Sequence, residues 1–348
     1  MLAVLVLTLA AIAYGLVLHQ PPAPSQAPAP AEAKPFTDVD LHRDEIAFAR
    51  DPSTYYAQVM AEQRLRHYPV RPFVAVRPPM LAFALARLPG GETSARLVVA
   101  ALGLLVAGLW TVRLAGPLGA AGAAVAGLAL ASGVVAAFTP NGYLMHECWA
   151  GLLIALSLGL HPGDRPAGRG PRLTASLLAG LAGGLVRELA LPFLGVMALM
   201  ALIERRPKEA LLWLGAIGLC ALALLAHALA VMRHTLPGDE GMAWVRLGGW
   251  AFVLAADRWN AIVALKPWLP AVLVPTALAG TLAWGGPLGR RLAFVVLGYA
   301  AGFLVVGRPE DTYWGLMLAP LLPLGWAGAA GAVLSRFAPS RGRQAAPG

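Results

Sequence analysis

A chain of 348 residues has the length of two or three soluble domains, yet 58% of its residues are hydrophobic and only 13% are charged, about half the charged fraction of a soluble globule. With mean hydropathy at +0.66, the composition excludes soluble, disordered and collagen-like classes and points to an integral membrane protein. The net charge of +9 would suit a nucleic-acid binder, but the basic residues are dispersed between apolar runs rather than gathered in one stripe, so nucleic acid is not an expected partner.

In chain order, apolar runs fall near 2–18, 94–112, 117–138, 143–160, 173–186, 189–203, 210–232, 268–284, 292–307 and 315–334. They are rich in Ala, Leu, Gly and Val, the mixture that lets membrane helices approach closely, and none alternates as a transmembrane barrel strand would. Cys148 and Cys220 both lie inside such runs, which leaves neither a disulfide framework nor a zinc cluster. The expected fold is an all-α polytopic membrane protein of about ten helical segments, one pair of them a short hairpin.

The first run, 1–18, reads as a membrane anchor helix. It lacks a basic n-region, and Ala11-Ile12-Ala13 is only weakly cleavage-like, so retention is expected. Residues 19–36 are Pro/Ala-rich and form an extended spacer. Segment 37–93 is a long polar loop expected to carry amphipathic helices. It opens with Asp38-Val39-Asp40-Leu41-His42-Arg43, whose paired carboxylates suit a general base or a metal ligand, or are simply solvated. Asp51-Pro52 looks like a helix start. The following helix puts Tyr55, Tyr56, Val59, Met60 and Gln63 on one stripe, with Glu62 and Arg66 paired on another. The tyrosines fit an interfacial aromatic belt or a surface for stacking on sugars. Arg77-Pro78-Pro79 closes the loop with a cation at headgroup height.

Segment 94–334 is the helical bundle and 335–348 a basic tail. Within the bundle, 173–203 is apolar except for Arg187-Glu188 at its centre. One straight helix would bury that pair at mid-bilayer; a hairpin puts it at a membrane face. Short cytoplasmic loops collect Lys and Arg, and this decides between the two. With a hairpin, loops 113–116, 161–172, 204–209, 285–291 and the tail share one side, with twelve basic and three acidic residues. That excess equals the whole net charge and leaves fifteen of each sign on the other side. The expected topology has both termini in the cytoplasm of a bacterial inner membrane and the acidic residues facing the periplasm.

Glu147, Arg187-Glu188 and Arg308-Pro309-Glu310-Asp311-Thr312-Tyr313-Trp314 converge on that outer face. Ionisable groups so near the hydrocarbon are expensive and default to function, with a structural ion pair such as Glu147 with Arg187 as the alternative. Loop 233–267 adds Arg233, His234, Asp239, Glu240 and Trp244, and His227 is expected to be a packed core residue. No Gly-rich phosphate loop faces the cytosol, so a nucleotide substrate is not expected.

Together the anchor, the acidic first loop, Arg77-Pro78-Pro79, the hairpin Leu185-Val186-Arg187-Glu188-Leu189-Ala190 and the late Tyr313-Trp314-Gly315-Leu316-Met317-Leu318-Ala319-Pro320 segment resemble the C-type glycosyltransferase superfamily. Its members are polytopic bacterial enzymes that use polyprenyl-phosphate sugars; larger ones carry more spans or an outer soluble domain, which this chain lacks. The resemblance implies inverting transfer of a sugar from a polyprenyl-phosphate lipid to an acceptor of the cell envelope, with Asp38 or Asp40 as base. It implies that Arg77, Arg187 and Arg308 hold the donor phosphate, and that Tyr55, Tyr56, Glu147, Glu188, Tyr313 and Trp314 contact acceptor or sugar. A divalent cation is left open. The alternative readings are a lipid or solute transporter, which would place charge near the midplane in two related halves, and a non-catalytic assembly subunit.

Overall fold

The structure, a computed structural model, describes residues 2–18, 38–163, 169–242 and 246–337. The Pro/Ala-rich spacer, Trp244 and the tail beyond Phe337 lie outside them. The fold is all-α. Its helices are α1 (Leu2–Leu18), α2 (Asp38–Phe48), α3 (Tyr55–Leu65), α4 (Met80–Ala86), α5 (Gly91–Gly133), α6 (His146–Leu160), α7 (Arg169–Val186), α8 (Leu191–Ile203), α9 (Pro207–His234), α10 (Gly249–Ala256), α11 (Ala261–Ala264), α12 (Leu269–Thr281), α13 (Gly286–Val305) and α14 (Leu322–Phe337). Short 3₁₀ turns link several of them.

Among the described residues, three helices are long and apolar enough to cross a membrane: Gly91–Gly116 in α5, Pro207–His234 and Gly286–Val305. The 3₁₀ segment Pro309–Met317 and Leu322–Leu334 form a fourth if the pair, bent by 64°, is one broken span. The other apolar helices hold 10–17 residues, short of the roughly 20 that cover the hydrocarbon. The apolar runs are therefore helices, as read from composition, but many are too short to be full spans on their own.

The breaks have local causes. The expected loop at 113–116 is helical, and the chain reverses instead at Gly119, whose φ of 70° and ψ of 176° suit only a residue without Cβ. Gly127 then lies against Thr111, and Gly103 against Ala137, so the two legs of α5 run antiparallel. The 173–203 stretch is a hairpin: Arg187 is extended at φ −148°, ψ 121° between α7 and the 3₁₀ turn Glu188–Ala190. Gly180 and Gly184 pack against Phe193 and Leu194 across it. α6 and α7 cross through reciprocal buried bonds, Ser157 Oγ to the Ser176 carbonyl at 2.6 Å and Ser176 Oγ to the Ser157 carbonyl at 2.8 Å. α12 and α14 touch backbone to backbone, the carbonyl of Gly325 lying where a Cβ on Gly280 would stand.

Side-chain contacts sort the loops into two ends. At one end Arg113 donates to the His161 carbonyl at 2.7 Å and Arg206 to that of Gly163 at 3.1 Å. There Arg291, fully buried, reaches Glu204 at 2.6 Å and Glu209 at 2.9 Å. These belong to the basic loops that charge bias assigned to one side. Arg187 and Glu188 sit at the opposite end with Glu147, Arg77 and Tyr313, as the hairpin requires.

Residues 38–93 are more ordered than a surface loop. α2 precedes α3, and Asp51 bonds Ser53 and Thr54 in a turn before the helix begins at Tyr55. The expected stripe is largely buried: Tyr55, Val59, Met60 and Gln63. It packs into a small core with Ala49, Val70, Val76, Ala82 and Val231, so α3 caps the bundle. Glu62 and Arg66 are paired as expected. The described part of 233–267 also differs from a polar loop, because α10 buries Phe252 against Phe303 and Trp314. The last helix starts at Leu322 rather than 315, and residues 314–321 are buried.

Candidate functional site

The end opposite the basic loops contains a two-lobed cavity, with lobes of about 260 Å³ and 380 Å³. Asp38, His42, Tyr68, Arg77 and Tyr313 line both lobes. Gln63, Met242, Arg308, Glu310 and Asp311 belong to the first lobe, and Met145 and Trp259 to the second. Seven stretches of chain meet here: α2, the end of α3 with the loop after it, the approach to α4, the residue before α6, the loop before α10, the turn before α11, and residues 308–313.

α2 brings Asp38 and His42 together because residues four apart share a helix face. Asp38 is exposed at the helix start, and the Tyr68 hydroxyl donates to it; burial first, and then this bond, raise the Tyr68 pKa. Asp40 turns the other way, to Arg43 at 3.1 Å with both side chains over 40% exposed. Of the two expected carboxylates, one reaches the cavity. Among the described residues, no group of three or more His, Cys, Asp or Glu side chains is arranged to hold a metal ion.

A layered ion-pair network forms the opposite wall. Arg77 donates to the Tyr313 hydroxyl at 2.9 Å, lies 5.6 Å from that ring's centroid, and stands 3.6 Å from Glu147. The Tyr313 hydroxyl in turn donates to Asp311 at 3.2 Å. Behind Arg77, Glu147 meets Arg187 Nε at 2.7 Å, and Arg187 Nη1 meets Glu188 at 2.5 Å. Arg308 pairs with Glu310, stands 3.7 Å from Asp311, and donates to Met242 Sδ at 2.9 Å.

The expected site residues thus separate into three groups. Asp38, Arg77, Arg308 and Tyr313 line the cavity. Glu147, Arg187 and Glu188 form the layer behind it; Arg187 is fully buried and positions Glu147 rather than facing the cavity. Asp40, Tyr55, Tyr56 and Trp314 lie elsewhere. Tyr55 is core, and Trp314 is packed among Phe252 and Phe303. Tyr56 bonds His227 at 2.9 Å and lines a separate apolar pocket of about 300 Å³ with Pro78, Pro79, Met80, Leu185 and Cys220. His227 is buried as expected, and its second ring nitrogen lies 3.0 Å from the Val76 carbonyl.

His42, Glu45, Tyr68 and Asp311 escaped the site reading. The i,i+4 spacing of Asp38 and His42 was the available signal; it is informative only once α2 is recognised as a helix. Comparison with protein-family models, curated proteins and solved structures finds no match. The functional reading therefore rests on this geometry and on the sequence resemblance.

Proposed function

We propose that the protein is a membrane glycosyltransferase that moves a sugar from a polyprenyl-phosphate carrier to an envelope acceptor, with inversion. The observation that carries the reading is the union in one cavity of the Asp38 carboxylate with the Arg77 and Arg308 guanidiniums. A lipid phosphate leaves readily once its developing charge is neutralised by donors fixed in advance. Arg308 is suited to this because its partner Glu310 is 55% exposed and can exchange with a ligand oxygen. The carrier's isoprenoid chain fits the apolar pocket that begins at Pro78-Pro79, next in sequence to Arg77. In this reading the cavity faces the periplasm, both termini are cytoplasmic, and the shorter helices complete the bundle.

The test is release of polyprenyl phosphate by the purified protein from a panel of polyprenyl-phosphate monosaccharides. Asp38→Asn and Arg77→Gln should each abolish release, whereas Asp40→Asn should not. Retained release in both cavity variants would discard the reading. A tag at residue 25 should be reachable from outside the inner membrane and one at residue 345 should not. The transporter reading has one observation in its favour, the 64° break before α14; uptake of the same lipids into proteoliposomes without cleavage would select it.

A further inference from the structure

α2 carries more than Asp38 into the cavity. One turn on, His42 lines both lobes, and its Nδ1 lies 2.9 Å from Glu45 Oε2. The two residues are 5% and 1% exposed. Among the described residues, His42 is the one basic side chain within ion-pair distance of Glu45, and the other oxygen of Glu45, Oε1, meets no hydrogen-bond partner there. A buried carboxylate without Arg or Lys is costly, and the hydrogen bond from the imidazole Nδ1 at 2.9 Å offsets part of that cost.

We propose that His42, oriented by Glu45, is the proton acceptor of this cavity. The inference rests on the glycosyl-transfer reading of the site for its reaction, but not for its geometry. A carboxylate on Nδ1 fixes the tautomer with the proton on that nitrogen, leaving Nε2 with a free lone pair. The same carboxylate stabilises the imidazolium that forms when Nε2 takes a proton. In the step, the acceptor hydroxyl gives its proton to His42 Nε2 as its oxygen bonds the anomeric carbon. The bond from that carbon to the phosphate oxygen breaks with the electron pair staying on the phosphate, opposite Arg77 and Arg308. The imidazolium then releases its proton to water in the cavity. Glu45 is a positioning residue, and Asp38, held by Tyr68, orients the acceptor.

The charged and titratable surroundings of His42 come from four sides. Its own helix supplies Asp38 and Glu45; Arg77 and Tyr313 face it across the cavity. From α6, the His146 ring lies with its centroid 5.0 Å away, beside Glu147, and α3 contributes the buried hydroxyl of Tyr55 near Glu45. Glu45 is the group bonded to the ring, so its removal is the perturbation that reports on the dyad.

Two measurements test this. In the first, release of polyprenyl phosphate is followed from pH 5 to 8 with whichever panel donor turns over. Wild type should show a rising limb that His42→Gln removes, and His42→Gln should lower the rate by at least about 100-fold, the low end for general-base loss. Glu45→Gln should lower the rate and move the rising limb to lower pH, with Glu45→Asp restoring part of both. The second needs no turnover: wild-type protein in detergent is treated with diethyl pyrocarbonate and mapped by mass spectrometry. His42 should be modified with a pH midpoint that shifts down in Glu45→Gln, while exposed His67 serves as reference. Labelling that behaves this way while every donor stays intact would remove the transferase reading and leave the dyad standing. Turnover that survives His42→Gln, or a His42 labelling profile unchanged in Glu45→Gln, would overturn the dyad.

Discussion

Replacing Arg187 with Met isolates the energetics behind the cavity. Glu147 Oε1 lies 2.7 Å from Arg187 Nε and 3.6 Å from Arg77 Nη1. At an effective dielectric near 20 these separations correspond to gross attractions of about 6 and 5 kcal/mol. Both Glu147 and Arg187 are buried, so most of that gross attraction offsets the cost of removing two charges from water. Breaking such a pair from one side costs about 3–5 kcal/mol, because the other charge is left without compensation. Arg77 remains to share Glu147, which places Arg187→Met near the lower end, about 3 kcal/mol. The double variant Arg187→Met, Glu147→Met removes the more buried of the two carboxylates left behind, Glu188 being the other, and should recover at least about 1 kcal/mol of that loss, since apolar replacement of a buried pair is often near neutral. Arg43→Gln, which breaks an exposed pair, is the control and should cost less than about 1 kcal/mol. Equilibrium unfolding in mixed micelles with increasing SDS, followed by circular dichroism, measures all three. An Arg187→Met variant as stable as Arg43→Gln, or a double variant less stable than the single, would refute the reasoning.

Three further outcomes follow from other parts of the molecule. Burial holds His161 neutral, below the ordinary histidine range, against the opposing pull of its bond to Glu209; its Nδ1 accepts from the Gly163 N–H at 3.1 Å. The unfolded state then binds the extra proton first, so this contribution is complete above about pH 6.5 and is lost as pH falls below it. Unfolding midpoints measured from pH 8 to 5 should decline, and His161→Gln should flatten that decline. Arg64 grips Asp239 with bonds of 2.6 and 2.9 Å and tethers the loop whose Glu240 carbonyl accepts from Val70 and Arg71. Asp239→Asn should speed amide hydrogen exchange at Val70 and Arg71 several-fold at pH 7 while leaving α6 protected. Gly325→Ala would drive a Cβ into the Ala277 carbonyl and should destabilise the α12–α14 contact by about 1–3 kcal/mol, seen as a lowered unfolding midpoint; Gly215→Ala, which meets nothing, should not.

Much of the arrangement could be read from the chain before any coordinates. Composition pointed to an all-α chain of apolar helices, and three of the described helices are long and apolar enough to cross a membrane. Charge asymmetry sorted the loops, since Arg113, Arg206 and Arg291 do gather with Glu204 and Glu209 at one end. It also required the 173–203 hairpin, and Arg187 is extended where that turn was placed. Gly119 was harder to foresee: several glycines flank the break, and only the backbone identifies the one with positive φ.

Side-chain direction was the part that the sequence left open. Asp38 and Asp40 are equivalent in a linear motif, but on a helix they point to different surroundings, one into the cavity and the other to Arg43. Tyr55 and Trp314 have aromatic rings suited to sugars, yet packing against distant segments makes them core. Arg187 was expected to face a ligand, and its position behind Glu147 depends on how α6 meets the hairpin. Composition and local charge fix which segments are helical and which loops share an end, because those depend on solvent and near neighbours. Which carboxylate, imidazole or guanidinium reaches the cavity depends on contacts between residues more than a hundred positions apart, and only the tertiary structure decided it.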